Sequence, residues 1–175
     1  MKWQLLLVDI YKRMTSEVEE VLNGLSQTDL HQRPAIGANP IGWLIWHETR
    51  SMDRLLGDVV LGEQLWISKS WHHKFGMPPD AMNTGYGNST AQVTAFMVPE
   101  LKILREYHHA VAAEMEKYLA TITEADLDKE FPFSVKFGEK RTLAFRLLSS
   151  INDFQHIGQA GYVRGLIRGQ GWYGR

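Results

Sequence analysis

Long stretches of helical periodicity constrain this chain of 175 residues more than any other feature. In residues 3–25, apolar side chains recur every three or four positions, which predicts a first amphipathic helix. A second helix is expected to begin at Asn39 and Pro40, an N-cap residue followed by a proline at the first helical position. Its apolar stripe continues to about Gly62. Both segments are long enough to cross a whole domain.

Two more segments with the same periodicity follow. Residues 99–122 repeat apolar side chains in alternating steps of three and four, as a heptad pattern does. Residues 142–168 form the fourth predicted helix, which ends before Gly169 and Gly171. Four long amphipathic helices in one chain predict an all-α fold, a four-helix bundle that occupies residues 1–175 as a single domain.

Composition excludes several classes of protein. With 44% apolar and 22% charged residues, the chain has the make-up of a globular domain and not of a disordered one. Its net charge of −1 gives no general attraction to nucleic acid or to an anionic membrane. The absence of cysteine excludes disulfides and thiolate metal sites. Without a long apolar segment or an apolar N-terminal leader, we expect a cytoplasmic protein.

The predicted connections differ in length. Residues 63–98 form a long crossover loop between helices two and three, and its tryptophans indicate that it packs onto the bundle. Loops of this length often serve as functional lids. Residues 131–138 have the composition of a short extended segment, but no second segment offers an obvious partner strand. We therefore expect no sheet.

The fourth helix carries the candidate chemistry. Asn152, His156 and Gln159 follow one another at single-turn spacing on a stripe whose two ends are apolar. Burying such groups is costly unless each has a partner. The stripe is therefore an interhelical hydrogen-bond network, a surface turned toward solvent or a ligand site. Asp153, three residues before His156, lies on nearly the same face.

The second and third helices offer further polar side chains. The apolar stripe of the second helix is centred near Glu48, which favours a paired core carboxylate, while His47 falls at the edge of that stripe. His108 lies on the core stripe of the third helix. It is either a hydrogen-bonded core histidine or a residue that faces the same polar centre. His72 and His73, in the long loop, are expected to be exposed.

Two motifs resemble a known family. Helix two contains Asn39-Pro-Ile-Gly-Trp-Leu-Ile-Trp-His47, and helix four contains Asn152-Asp-Phe-Gln-His-Ile-Gly-Gln-Ala-Gly-Tyr-Val-Arg-Gly165. Together they resemble the DinB-like superfamily, and in particular an uncharacterised branch related to mycothiol-dependent maleylpyruvate isomerase. The resemblance implies a four-helix bundle that commonly forms a homodimer. It also implies a divalent metal, most often nickel or zinc, at one end of the bundle.

The resemblance assigns the metal ligands residue by residue. His47 and His156 match two ligands of the family. The family's other ligand, usually histidine or glutamate, falls on Asn152, whose neutral amide is a weak ligand for zinc or nickel. Either Asp153 replaces it, or the site is weak, or this branch has lost its metal. We expect Gln159 and His108 to contact the ligands and hold them in position, without binding the metal themselves.

The resemblance also implies an activity. We expect a metal-dependent thiol transferase or isomerase that uses a low-molecular-weight thiol against a small electrophile, with Glu48 or Asp153 as acid or base. The alternative is a non-enzymatic dimeric bundle with a degenerate metal site, which binds a small ligand or acts in a stress response. A nucleic-acid partner is not expected, because no basic stripe accompanies the neutral net charge.

Overall fold

The computed structural model describes residues 2–134, 138–169 and 171–173. Four long helices dominate it, which confirms the predicted all-α bundle. In chain order the helices are α1 (Trp3–Leu22), α2 (Gln27–His31), α3 (Ile41–Leu56), α4 (Leu65–Ser68), α5 (Trp71–Lys74), α6 (Thr90–Ala95), α7 (Leu101–Leu119), α8 (Glu124–Leu127), α9 (Leu143–Ser149) and α10 (Ile151–Arg168). No helix among the described residues is long and apolar enough to cross a membrane.

The long helices pack so that α3 lies against α7 and α10, while α1 lies against the same two helices. Helices α3 and α7 run in the same direction. The Val98 side chain, just before α7, packs against Gly42 at the start of α3, and Tyr107 contacts Asp53 near the end of α3. Helix α10 runs opposite to α3, and this direction brings His156 beside His47.

Helix α3 begins one residue later than the sequence predicts. Pro40 is the N-cap residue and Ile41 is the first helical residue, so Asn39 lies outside the helix. At its C-terminal end α3 continues into a π-helical turn, Gly57–Leu61, which stops at Gly62 with a positive φ of 73°. The apolar periodicity therefore predicted the end of the element, although it could not reveal the wider turn.

The predicted fourth helix is divided into α9 and α10. Ser150 separates them, and its hydroxyl donates a hydrogen bond of 2.5 Å to the carbonyl of Leu147. The same hydroxyl accepts a hydrogen bond of 2.9 Å from the Tyr11 hydroxyl of α1. Serine side chains that bond to the preceding turn compete with helical hydrogen bonding, which explains the break.

The expectation of no sheet was wrong. Strand β1 (Glu130–Ser134) pairs antiparallel with strand β2 (Glu139–Thr142), so that Phe131 faces Arg141 in the register. The sequence of β2, Glu-Lys-Arg-Thr, has no apolar alternation, and periodicity could not identify it as a strand. Residues 135–137 of the predicted extended segment lie outside the described residues.

A buried ion pair holds the segment between α3 and α7 against the bundle. Arg50 and Asp53 are fully buried, and Arg50 Nη1 lies 3.3 Å from Asp53 Oδ2. The carboxylate accepts hydrogen bonds of 2.7 Å from the backbone N–H groups of Leu65 and Trp66. Arg50 donates to the carbonyls of Ala81 and Asn83, at 3.2 Å each. The pair therefore fixes two separate parts of this segment.

Candidate functional site

The candidate site lies where α3 crosses α10. The ring centroids of His47 and His156 are 4.8 Å apart, and the two ring planes meet at 68°. His47 is only 7% exposed, whereas His156 is half-buried. The antiparallel packing of the two helices thus brings together the two histidines that the sequence proposes as metal ligands.

A backbone carbonyl orients His47. Its Nδ1 lies 2.5 Å from the carbonyl oxygen of Thr84, so Nδ1 carries the proton and donates it, while Nε2 keeps its lone pair. The ring of Trp43 stacks on the imidazole with a centroid distance of 4.7 Å. Burial lowers the pKa of His47, the Thr84 carbonyl opposes this shift, and the nearby His156 adds to it. A neutral imidazole, the form that binds metals, is the result.

Glycine is required beside His47. Gly85 has φ +89°, and a Cβ added there would lie 2.8 Å from the Trp46 ring and 3.2 Å from His47 Nδ1. Real Cβ atoms almost never come within 3 Å of another heavy atom, so any side chain at Gly85 would push Thr84 away from His47.

Sequence reasoning gave no role to Thr84. Because its carbonyl makes the contact, no residue type in the sequence signals it.

His156 is oriented by its own helix. Its Nδ1 lies 3.0 Å from Gln159 Oε1, one turn later in α10. With Nδ1–H donated to the amide oxygen, Nε2 again keeps its lone pair. Both histidines therefore have one ring nitrogen fixed by a neighbour and the other uncommitted, which is the arrangement of metal-binding imidazoles.

The other two ligand candidates, Asn152 and Asp153, lie in different environments. Asn152 is exposed, one turn before His156. Asp153 is 5% exposed and belongs to the buried face of α10. Within the part of the chain that the structure describes, no three His, Asp or Glu side chains are grouped so that they could hold a metal ion. The structure therefore brings the two imidazoles together, and among the described residues no carboxylate completes a three-residue group with them.

A buried polar cluster of Glu48, Thr49 and His108 begins one residue after His47. Glu48 and His108 have fully buried side chains, with Glu48 Oε2 at 3.4 Å from His108 Nδ1. The Thr49 hydroxyl lies 3.0 Å from the same carboxylate oxygen and 3.1 Å from the same imidazole nitrogen. Glu48 Oε1 and His108 Nε2 have no hydrogen-bond partner among the described residues. This cluster joins α3 to α7 one residue away from the candidate ligand.

Asp153 is a second buried acidic residue of the core, in addition to Glu48. Burial raises the pKa of Asp153 well above its usual value, and the negative charge of Glu48 raises it further. Burial also raises the pKa of Tyr11, whose hydroxyl bonds to Ser150 at the start of α10. Asp153 is therefore a protonated acid over a wider pH range than an exposed aspartate, and such a group can give up a proton.

Comparisons with known proteins agree with this architecture. The sequence profile of the DinB superfamily matches residues 10–160. A crystal structure described as the conserved protein of locus from Enterococcus faecalis superposes with a TM-score of 0.83 at 27% sequence identity. The superposition covers 97% of this chain and 99% of that chain. No curated protein matches the chain.

Proposed function

The chain belongs to the DinB superfamily, and from that premise we propose that it is a divalent-metal-dependent thiol transferase or isomerase. His47 and His156 would hold the metal, nickel or zinc, with the Asn152 amide as the third ligand. One observation carries this proposal. The two imidazoles lie 4.8 Å apart, and each has its Nδ1 occupied by a hydrogen bond.

A bound divalent ion would supply a positive charge that lowers the pKa of a low-molecular-weight thiol, so that the thiolate attacks a small electrophile. The chain's own residues prepare the site. Thr84 and Gln159 fix the tautomers of the two histidines, and Trp43 stacks on His47 and limits its rotation. These contacts keep both Nε2 atoms available before any ligand arrives.

Proton transfer falls to the buried acids in this proposal. Asp153, whose pKa is raised by burial and by the charge of Glu48, would act as the acid and donate a proton to a leaving group or a carbanion. Glu48 would receive a proton from the incoming thiol, and Thr49 and His108 keep that carboxylate in place. A cytoplasmic location suits this chemistry, because low-molecular-weight thiols are kept reduced there.

The proposal is tested by elemental analysis of protein purified without a His-tag. We expect close to one nickel or zinc per chain, with loss of that metal in His47→Ala and His156→Ala. His73→Ala, at an exposed position, is the matched control and should keep the metal. The loaded protein should then accelerate the reaction of cysteine or glutathione with a chloronitroarene. A chain that takes up no nickel, zinc or manganese would contradict the proposal.

A second candidate function is a non-enzymatic bundle with a degenerate metal site. The exposed amide at Asn152, where the family usually has histidine or glutamate, favours it, as does the lack of a three-residue His, Asp or Glu group in the described ranges. On this alternative, His47→Ala changes neither metal content nor thiol reactivity. The site would then bind a small organic ligand or serve protein contacts.

We also propose that the chain forms a homodimer through α9 and α10. A stripe of exposed side chains follows steps of four and three along these helices: Leu148, Asn152, Gln155, Gln159, Tyr162 and Leu166. Its apolar members are 75%, 71% and 57% exposed at Leu148, Tyr162 and Leu166. Such spacing suits helix pairing between two copies. Light scattering should give twice the chain mass, and Leu148→Glu should reduce it to that of one chain.

A further inference from the structure

A separate cleft lies about two helical turns from His47, at the C-terminal end of α3. Its volume is about 270 Å³, and it opens between the π-helical turn, the segment around Met82 and the β-hairpin. Ile67, Met82 and Phe133 supply apolar walls, while Arg54 and Asp58 supply charge. None of these residues belongs to the histidine site.

The charges in this cleft are unevenly paired. Asp58 Oδ2 lies 2.9 Å from Arg146 Nη2, which is a close ion pair. Arg54 Nε lies 4.0 Å from the same oxygen, and its Nη2 lies 3.5 Å from the carbonyl of Phe133. Both contacts of Arg54 are long. Its guanidinium, which has five N–H donors, therefore keeps most of its hydrogen-bonding capacity.

Accessibility separates the two arginines further. The Arg146 side chain is 7% exposed, whereas the Arg54 side chain is 26% exposed and lines the cleft. Glu63, the other acid of the lining, is exposed, so water and salt screen its charge. The Asp58 side chain is as exposed as that of Arg54, but Asp58 is closely paired with Arg146, so among the described residues Arg54 is the accessible positive group of the lining without a close ion pair.

The wall of the cleft is tightly packed where Gly57 meets Gln64. A Cβ added at Gly57, where the π-helical turn begins, would lie 2.7 Å from Gln64 Cγ and 3.0 Å from the Gln64 backbone nitrogen. Gln64 in turn bonds to the buried Arg50 at 2.8 Å. The wall is therefore tied to the core of the bundle, and π-helical turns inside α-helices are frequent at functional sites.

We infer that this cleft binds a small organic carboxylate with an apolar body. Arg54 would receive the carboxylate in the bidentate geometry that guanidinium groups favour, and the apolar part would lie against Ile67, Met82 and Phe133. A volume near the lower end of small-molecule sites suits a ligand of roughly ten non-hydrogen atoms. This site needs neither a metal nor a thiol, so it stands apart from the proposed activity.

Benzoate is a suitable probe, and benzamide is its neutral counterpart of the same shape. In ¹H–¹⁵N spectra we expect benzoate to shift the amides of Gly57, Gly62, Ile67 and Met82 saturably, with a Kd of about 1–10 mM for so small a ligand. Benzamide should bind at least tenfold more weakly.

Substitutions of Arg54 test whether this residue binds the carboxylate. Arg54→Gln should abolish saturation, and Arg54→Lys should weaken binding several-fold because the bidentate geometry is lost. Arg13→Gln, on the exposed surface of α1, is the matched control and should bind as the parent does. Spectra of each variant without probe show whether it is folded. Equal shifts with benzamide, unchanged binding in folded Arg54→Gln, or no saturation at all would overturn the inference.

Discussion

The imidazole of His47 donates to the carbonyl of Thr84 across 37 residues of sequence, at 2.5 Å. This hydrogen bond joins the second turn of α3 to the segment that returns toward α7. It couples the tautomer of a candidate metal ligand to the path of a loop. The loop itself is held by the buried pair of Arg50 and Asp53, which bonds to the carbonyls just before Thr84. A substitution that loosens the segment around Thr84 should therefore also change the protonation and metal affinity of His47.

Gly85→Ala should disrupt this coupling. An alanine with positive φ costs about 1–2 kcal/mol in the free energy of unfolding, and the collision with Trp46 and His47 adds about 1–3 kcal/mol. Gly87→Ala is the matched control, because Gly87 has φ +76° but nothing within 4 Å of an added Cβ. Urea unfolding of both variants measures the difference. If they lose equal stability, the close contact at Gly85 is of no consequence.

Asp53→Asn should destabilise the protein strongly. It leaves the fully buried Arg50 guanidinium without its counter-charge, and breaking a buried pair in this way costs about 3–5 kcal/mol. The exposed pair of Asp9 and Arg13 provides the control, since Asp9→Asn should leave the free energy of unfolding almost unchanged. Chemical denaturation checks both. A loss in Asp53→Asn no larger than in Asp9→Asn would contradict the anchoring role.

Much of the fold was predictable from local periodicity. The four long helices follow from residues that repeat at helical spacing, and each buries its apolar stripe in the bundle. The break at Ser150 was not predictable, because serine also occurs inside helices, and the contacts of this serine with Leu147 and with Tyr11 of α1 are seen only in the structure. The strand pairing was missed for a related reason. The polar strand β2 has no pattern of its own and is defined only by the neighbouring β1.

The candidate site, like the fold, was predictable from the sequence only in part. Side chains with a recognisable chemistry, His47, His156 and Asp153, could be proposed from the sequence and its resemblance to a family. Gln159, the partner of His156, could be proposed in the same way. The partners of His47 could not, since Thr84 contributes a carbonyl and Gly85 contributes the absence of a Cβ. Such backbone contributions depend on the path of a loop, which tertiary structure decides.

Acid should destabilise the protein through Asp29. Burial alone would raise the pKa of this carboxyl, but the Arg168 guanidinium and the Ser26 hydroxyl and N–H outweigh it, so that the pKa falls to about 2. A carboxyl whose pKa is lowered in the folded state stabilises the fold above its unfolded value of 3.8. That contribution is lost as the pH falls from the unfolded value through the folded value.

Thermal melting at pH 6 and pH 2 tests this expectation with the variant Asp29→Asn. We expect the variant to melt below the parent protein at pH 6 and the difference to shrink at pH 2, where the parent's carboxyl is becoming protonated. Asp9→Asn controls for the general effect of removing an exposed charge. A difference in melting temperature that stays constant between the two pH values would show that Asp29 does not titrate as expected.

Gln159 should tune metal affinity without being a ligand itself. Its amide oxygen accepts from His156 Nδ1 at 3.0 Å, and removing such a partner lowers metal affinity roughly 10–100-fold. Gln32→Ala, at an exposed position outside α10, should leave the affinity unchanged. Competition with a chromophoric chelator gives the affinities. In metal-free protein, ¹⁵N shifts of His156 should show the proton fixed on Nδ1 in the parent and shared between both nitrogens in Gln159→Ala. An unchanged tautomer in that variant would mean that the hydrogen bond within α10 does not orient the imidazole.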